Sequence, residues 1–150
     1  MNPPPLTTTQ LAELGVLITR NTLGRVPIDH VKAQLFLDQA SDALADIQNM
    51  KAHTVRYDTA YNVAHDVGEA LLAAYGYRTM SGTGQHAAVG NFLEVILVGG
   101  SAESASADFN SLREGRNALR YQAKPIGQVQ ADFACMTAQT LFNGAQIILL

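Results

Sequence analysis

The chain has 150 residues, 47% hydrophobic and only 15% charged, with a net charge of −3 at pH 7. That size and composition suit one globular domain with a single core, and so low a charge points to surface buried against a partner. The net acidity argues against broad non-specific binding to duplex DNA, though not against a local anionic ligand. The lone Cys135 excludes an internal disulfide and a cysteine-based zinc site. No run reaches the roughly 18 apolar residues of a membrane span. The Met1-Asn2-Pro3-Pro4-Pro5 lead has no basic n-region, so no signal peptide and a cytoplasmic location are expected.

Residues 1–5 read as a disordered, polyproline-like lead. Thr7 to Thr9 offer N-cap hydroxyls for a first helix carrying Leu11, Leu14 and Ile18, which fades near Asn21 to Gly24. Pro27 opens a second, with Asp29 in its first turn and Val31, Leu35, Leu37, Ala40, Leu44 and Ile47 as its apolar face. Lys51 to Tyr57 reads as a connector. Asp58 or Thr59 then caps a third helix whose inner face is largely small, and Gly76 ends it in a left-handed C′ conformation. A loop from Tyr77 to Gly84 leads to a fourth helix near Gln85 to Val98; its FLEVILV run could be a strand by period alone, but no partner strand is evident. After Gly99-Gly100, SAESASA is a flexible connector or a weak first turn. A fifth helix follows and stops before Pro125. The last runs from about Ile126 to Leu141 or beyond, with Val129, Phe133, Met136, Thr140 and Leu141 expected inward. The sum is an all-α antiparallel bundle of four to five helices, in one domain without repeats.

The fifth helix carries the chemistry. Phe109, Leu112, Arg116 and Leu119 form one stripe, so an arginine stands in an apolar line. Burying a guanidinium without partners costs several kcal/mol, so Arg116 needs a paired acid, a cleft or a subunit seam. Glu69 or Asp66 would serve as the acid. Arg113, Asn117 and Tyr121 make a neighbouring line, and Arg113, Arg116, Arg120 and Lys124 outweigh Glu114 to concentrate positive charge here.

In order and pattern, the helix YNVAHDVGEALLAAYGYR, a Gly-bearing loop, a helix beginning near His86, then LREGRNALRY and a final helix resemble the HEPN domains (higher eukaryotes and prokaryotes nucleotide-binding). The resemblance covers about residues 31–142, with Arg116-Asn117 and Tyr121 as its most specific part. It implies a helical bundle, commonly homodimeric, with motif arginines of two subunits across one cleft. Many such domains are metal-independent RNases, often toxins paired with an antitoxin, and others are non-catalytic binding modules. The catalytic pattern is Arg, a polar residue, then His after four to six intervening positions. From Arg116 that window holds Tyr121, Gln122 and Ala123, and from Arg113 it holds Ala118, Leu119 and Arg120. Tyr121 thus stands in place of the motif His.

Metal-free RNA cleavage needs a group to take the 2′-hydroxyl proton and cationic donors for the developing charge. Arg116 and Arg113 can donate bidentately to phosphate. Tyr121 is a poor base, since with a pKa of about 10 only about one molecule in a thousand is phenolate at pH 7. It could act as an acid, orient Arg116 and phosphate, or simply close the helix end. Asn117 is a helper under either reading. His86 either supplies the missing imidazole or is an exposed first-turn residue, and His65 reads as a core-edge histidine. Arg120 and Lys124 complete an expected RNA-binding set with Arg113 and His86. No metal site or cofactor is expected, and Gly82-Thr83-Gly84 lacks the lysine and spacing of a phosphate-cradling loop. The expected function is an HEPN-like RNA- or nucleotide-binding protein whose RNase activity is weakened or lost. The alternative is a non-catalytic dimeric adaptor in which Arg116 is structural.

Overall fold

In the computed structural model, which describes residues 1–82 and 84–150, six helices are seen among the described residues. They are α1 (Thr8–Thr19), α2 (His30–Ile47), α3 (His53–Tyr75), α4 (Gln85–Ile96), α5 (Glu103–Gln122) and α6 (Gln128–Leu149). The all-α expectation holds, with six helices in place of the four to five expected and one addition. Strands β1 (Leu23–Arg25) and β2 (Tyr77–Thr79) pair antiparallel, Gly24 opposite Arg78. They occupy segments read from sequence as a fading helix end and a loop, because three-residue strands are too short to show a period. Thr83 lies outside the described residues.

The core is built around α3. Its buried face runs through Ala60, Ala64, Val67, Gly68, Leu71 and Ala74, and α2 and α6 pack along it on either side. Small side chains let the helix axes approach closely, so α3 can be central. Gly76 ends it at φ 78° and ψ 41°, with its N–H turned back to the Ala73 and Leu72 carbonyls. Any Cβ there would meet the Val26 carbonyl oxygen at 2.8 Å, so both the left-handed turn and the space require glycine. Phe109 and Leu112, 0% and 1% exposed, fix α5 to the bundle, each worth about 1.5–3 kcal/mol of burial.

Several boundaries and faces differ from the sequence reading. Asp29 is the N-cap of α2, accepting from the Lys32 N–H at 2.9 Å, not a first-turn residue. Val31 and Leu35 face solvent while Ala33, Leu37 and Ala40 are buried. Helix α3 begins at His53, so Asp58 lies inside it rather than capping it. Helix α5 starts at Glu103, which makes most of SAESASA helical. On α6 Leu141 is buried as expected, but ahead of it the face is inverted: Val129, Phe133 and Met136 are exposed and Ala131, Ala134, Thr137 and Ala138 are buried. Both stripes have helical spacing, and the small one wins because α3 offers a small surface for close packing. The lead is held at one point, where the Tyr75 hydroxyl donates to the Pro4 carbonyl at 3.2 Å.

Candidate functional site

The N-terminal turn of α4 faces the C-terminal half of α5 across a cleft of about 370 Å³. Gly82, Gly84 and His86 line one side, and Arg113, Arg116, Asn117 and Tyr121 line the other. Five of the seven residues singled out from sequence therefore share one depression. Arg120 and Lys124 do not line it. Arg120 is half-exposed and donates to Asp58 Oδ2 at 2.7 Å, while Lys124 is exposed beyond the end of α5.

The stripe position of Arg116 does turn it inward, to 21% side-chain exposure. Its Nε is 3.4 Å from Asp58 Oδ1 and its guanidinium lies 5.0 Å from the centroid of the Tyr61 ring. The acid is thus Asp58, and neither Glu69 nor Asp66. The extra turn at the start of α3 brings Asp58 opposite α5. Arg113 donates to Asn110 Oδ1 at 3.4 Å, its one side-chain hydrogen bond among the described residues. Tyr121 is 80% exposed at the cleft rim, where its ring can meet a ligand but does not pack on α6.

Behind the rim stands an aromatic cluster from α3. Tyr61 is buried, and its hydroxyl lies 2.7 Å from His86 Nδ1. The His65 ring is 4.7 Å from that of His86, centroid to centroid. Burial pushes the Tyr61 phenol up to about 12, against the opposing pull of Arg116 and Arg113. Burial, then His86 and Arg116, pull His65 down to about 4. Burial, with Arg116 and Arg113, also lowers His86. All three rings are neutral at pH 7, and the 3.9 Å approach of His65 Nε2 to Glu69 is accordingly no ion pair there. A carboxylate at 3.9 Å is too far for a hydrogen bond, so it does not offset the burial of His65.

Sequence reasoning missed Asp58 and Tyr61. They stand with His65 at i, i+3 and i+7, a polar edge beside the small face of α3. That spacing was available, but a cap assignment for Asp58 hid it. Among the described residues no group of three or more His, Cys, Asp or Glu could hold a metal ion. Among these residues no helix is long and apolar enough to cross a membrane. A roomier groove of about 500 Å³ between α1 and α4 is lined mainly by Val16, Leu17, Val95 and Val98 with Glu13, Glu94 and Arg20. It gathers no imidazole or phenol.

Chemically, the cleft presents cationic and neutral donors around a space the size of a nucleotide. The Asp58 carboxylate beside it is engaged by Arg116 and Arg120. Comparison with protein-family models, with curated proteins and with solved structures finds no match to this chain.

Proposed function

We propose that the chain is an HEPN-like, metal-independent RNA- or nucleotide-binding protein, and that the α4–α5 cleft takes the phosphodiester backbone. The observation that carries this reading is the convergence of Arg113, Arg116, Asn117, Tyr121 and His86 on one depression. Arg113 and Arg116 supply phosphate donors, Asn117 an amide, and the exposed Tyr121 ring a surface on which a base can stack. Cleavage through the 2′-hydroxyl requires a proton acceptor, and an exposed tyrosine in the motif position supplies one poorly. The reading is therefore of an RNA binder of the toxin–antitoxin kind with weakened or lost catalysis.

Purified protein incubated with mixed RNA, beside Arg113→Ala and Arg116→Ala, tests it by filter retention and by gel. Retention by the parent and a fall of about tenfold or more in each variant is expected, since a charged phosphate contact is worth about 1.5–3 kcal/mol. Arg113→Ala is the cleaner arm, because Arg116 also holds Asp58 and Tyr61. Folded parent protein that retains no RNA would remove the proposal.

A second reading, a non-catalytic homodimeric adaptor, is favoured by the outer face of α6. There Val129, Phe133, Met136 and Ile147 are exposed at helical spacing. On this reading Arg116→Ala lowers stability or breaks the dimer without touching RNA affinity.

A further inference from the structure

The buried hydroxyl of Tyr61 decides what His86 can offer a ligand. Tyr61 is 1% exposed, and among the described residues its hydroxyl has a single hydrogen-bond partner, His86 Nδ1 at 2.7 Å. A neutral imidazole has one N–H and one acceptor nitrogen. Were the hydrogen on Nδ1, it would donate to the phenol oxygen, and the proton of Tyr61 would be left without an acceptor away from water. The satisfied arrangement has Tyr61 donate and Nδ1 accept. The ring hydrogen then sits on Nε2, the nitrogen that Tyr61 leaves unengaged.

The surroundings oppose a second proton on this ring. From α5 it faces Arg113 and Arg116, and from α3 it meets Tyr61 and the neutral His65, with Glu69 3.9 Å beyond His65 Nε2 and Asp66 beside it on that helix. Its own turn of α4 contributes Gln85 and no charge. Burial and the two guanidiniums hold the imidazole below its ordinary range, so the neutral form persists at pH 7.

We propose that His86 reads a phosphate oxygen of the ligand as a neutral Nε2–H donor, and that Tyr61 is the positioning residue that fixes this tautomer. The inference rests on the cleft being the phosphate site proposed above, and it gives that site a specific character. Each of Arg113, Arg116, Asn117, Tyr121 and His86 can donate to the ligand, and the one nitrogen of the His86 ring able to accept a proton is spent on Tyr61. Binding through His86 then persists through neutral pH, where an imidazolium would let go. The fitting ligand is a phosphodiester segment that is held and not cut.

Nitrogen-15 NMR of the full chain reads the His86 tautomer directly, and fluorescence anisotropy with a labelled oligouridylate, whose backbone takes up no proton in this range, reads affinity from pH 6 to 8.5. The Nε2–H form is expected, with affinity level to within about threefold across that range. His86→Ala should lose about tenfold, and His86→Gln, whose amide N–H falls near the imidazole Nε2–H, should return to within about threefold of the parent. Tyr61→Phe should mix the tautomers. Since His86 is exposed, its two variants test the idea even if Tyr61→Phe fails to fold. An Nδ1–H or imidazolium form, or affinity falling about tenfold per pH unit above the imidazole pKa, overturns the inference. If oligouridylate binds under that outcome, the cleft reading survives alone. If neither oligouridylate nor sulfate binds at any pH, the cleft reading and this inference fall together.

Discussion

The hydroxyl of Tyr57 occupies the space that a side chain on Gly115 would need. From there it donates to the Leu112 carbonyl at 2.8 Å, joining α3 to α5 one turn before Arg116. Gly115 sits in mid-helix, where alanine would ordinarily be better by about 1 kcal/mol. Here the contact wins. Gly115→Ala must displace the phenol and lose its buried hydrogen bond, and it is expected to destabilise by about 2–3 kcal/mol in urea unfolding. Tyr57→Phe, which removes the bond but keeps the packing, should cost about 1 kcal/mol. An unchanged or raised midpoint for Gly115→Ala would show that α3 and α5 do not meet at this point.

Asp58 divides its carboxylate between Arg116 and Arg120, at 3.4 and 2.7 Å. Because Arg116 is largely shielded and Arg120 half-exposed, the cost of losing the acid falls on Arg116. Asp58→Ala should lower stability by about 1–2 kcal/mol. It should also raise affinity for an oligoribonucleotide by about threefold at low salt, since a screened negative charge leaves the neighbourhood of the phosphate. Affinity that falls instead would mean that Asp58 aims Arg116 at the ligand.

What could be read from the sequence follows from the physics of each signal. Helices α2, α3, α5 and α6 announce themselves because apolar periodicity extends over many turns, whereas α4 rests on the lack of a partner strand for its apolar run. Arg116 stood out because a charge in an apolar stripe requires a partner, and the structure provides one. The identity of that partner was hidden. Asp58 is a good cap residue, and only the tertiary placement of α3 decides between cap and ion pair. The face of α6 departs from its sequence expectation for a related reason. Period alone cannot choose between a large and a small apolar stripe, and the choice depends on what α3 presents. The Tyr61–His86 contact joins residues 25 apart, which no local pattern reports.

The α3 cluster gives a pH signature with two opposing signs. His65 is held at about 4 by burial, His86 and Arg116. As pH falls from about 6.5 toward 4, the unfolded chain takes up a proton that the folded chain refuses, so stability is lost, on the order of 2–3 kcal/mol from this group. The lowered His86 acts in the same direction. Asp66, raised to about 6 by burial and then by Glu69, does the reverse. The folded chain takes up that proton first, and stability is gained over nearly the same window. Glu69, raised mainly by burial, adds to the gain. Urea midpoints between pH 7 and 4 should therefore fall more steeply in Asp66→Asn than in the parent, and less steeply in His65→Gln. Parallel profiles for all three proteins would remove the cluster as their source.

The inverted face of α6 can be tested by pairing an outer with an inner substitution. Val129 and Met136 are 83% and 63% exposed, whereas Ala134 and Ala138 are 0% exposed. Lysine at both outer positions keeps a helix-forming residue in water, so Val129→Lys with Met136→Lys should stay within about 0.5 kcal/mol of the parent. Ala134→Leu must force three extra carbons between α3 and α6, where small side chains set the helix spacing. It should cost about 1–3 kcal/mol or more. The reverse order of costs would put the large stripe back inside. The same lysine pair separates the two functional readings, because a dimer built on this face should sediment as a monomer once both lysines are present. RNA retention at the α4–α5 cleft should not change, since none of the cleft residues lies on α6.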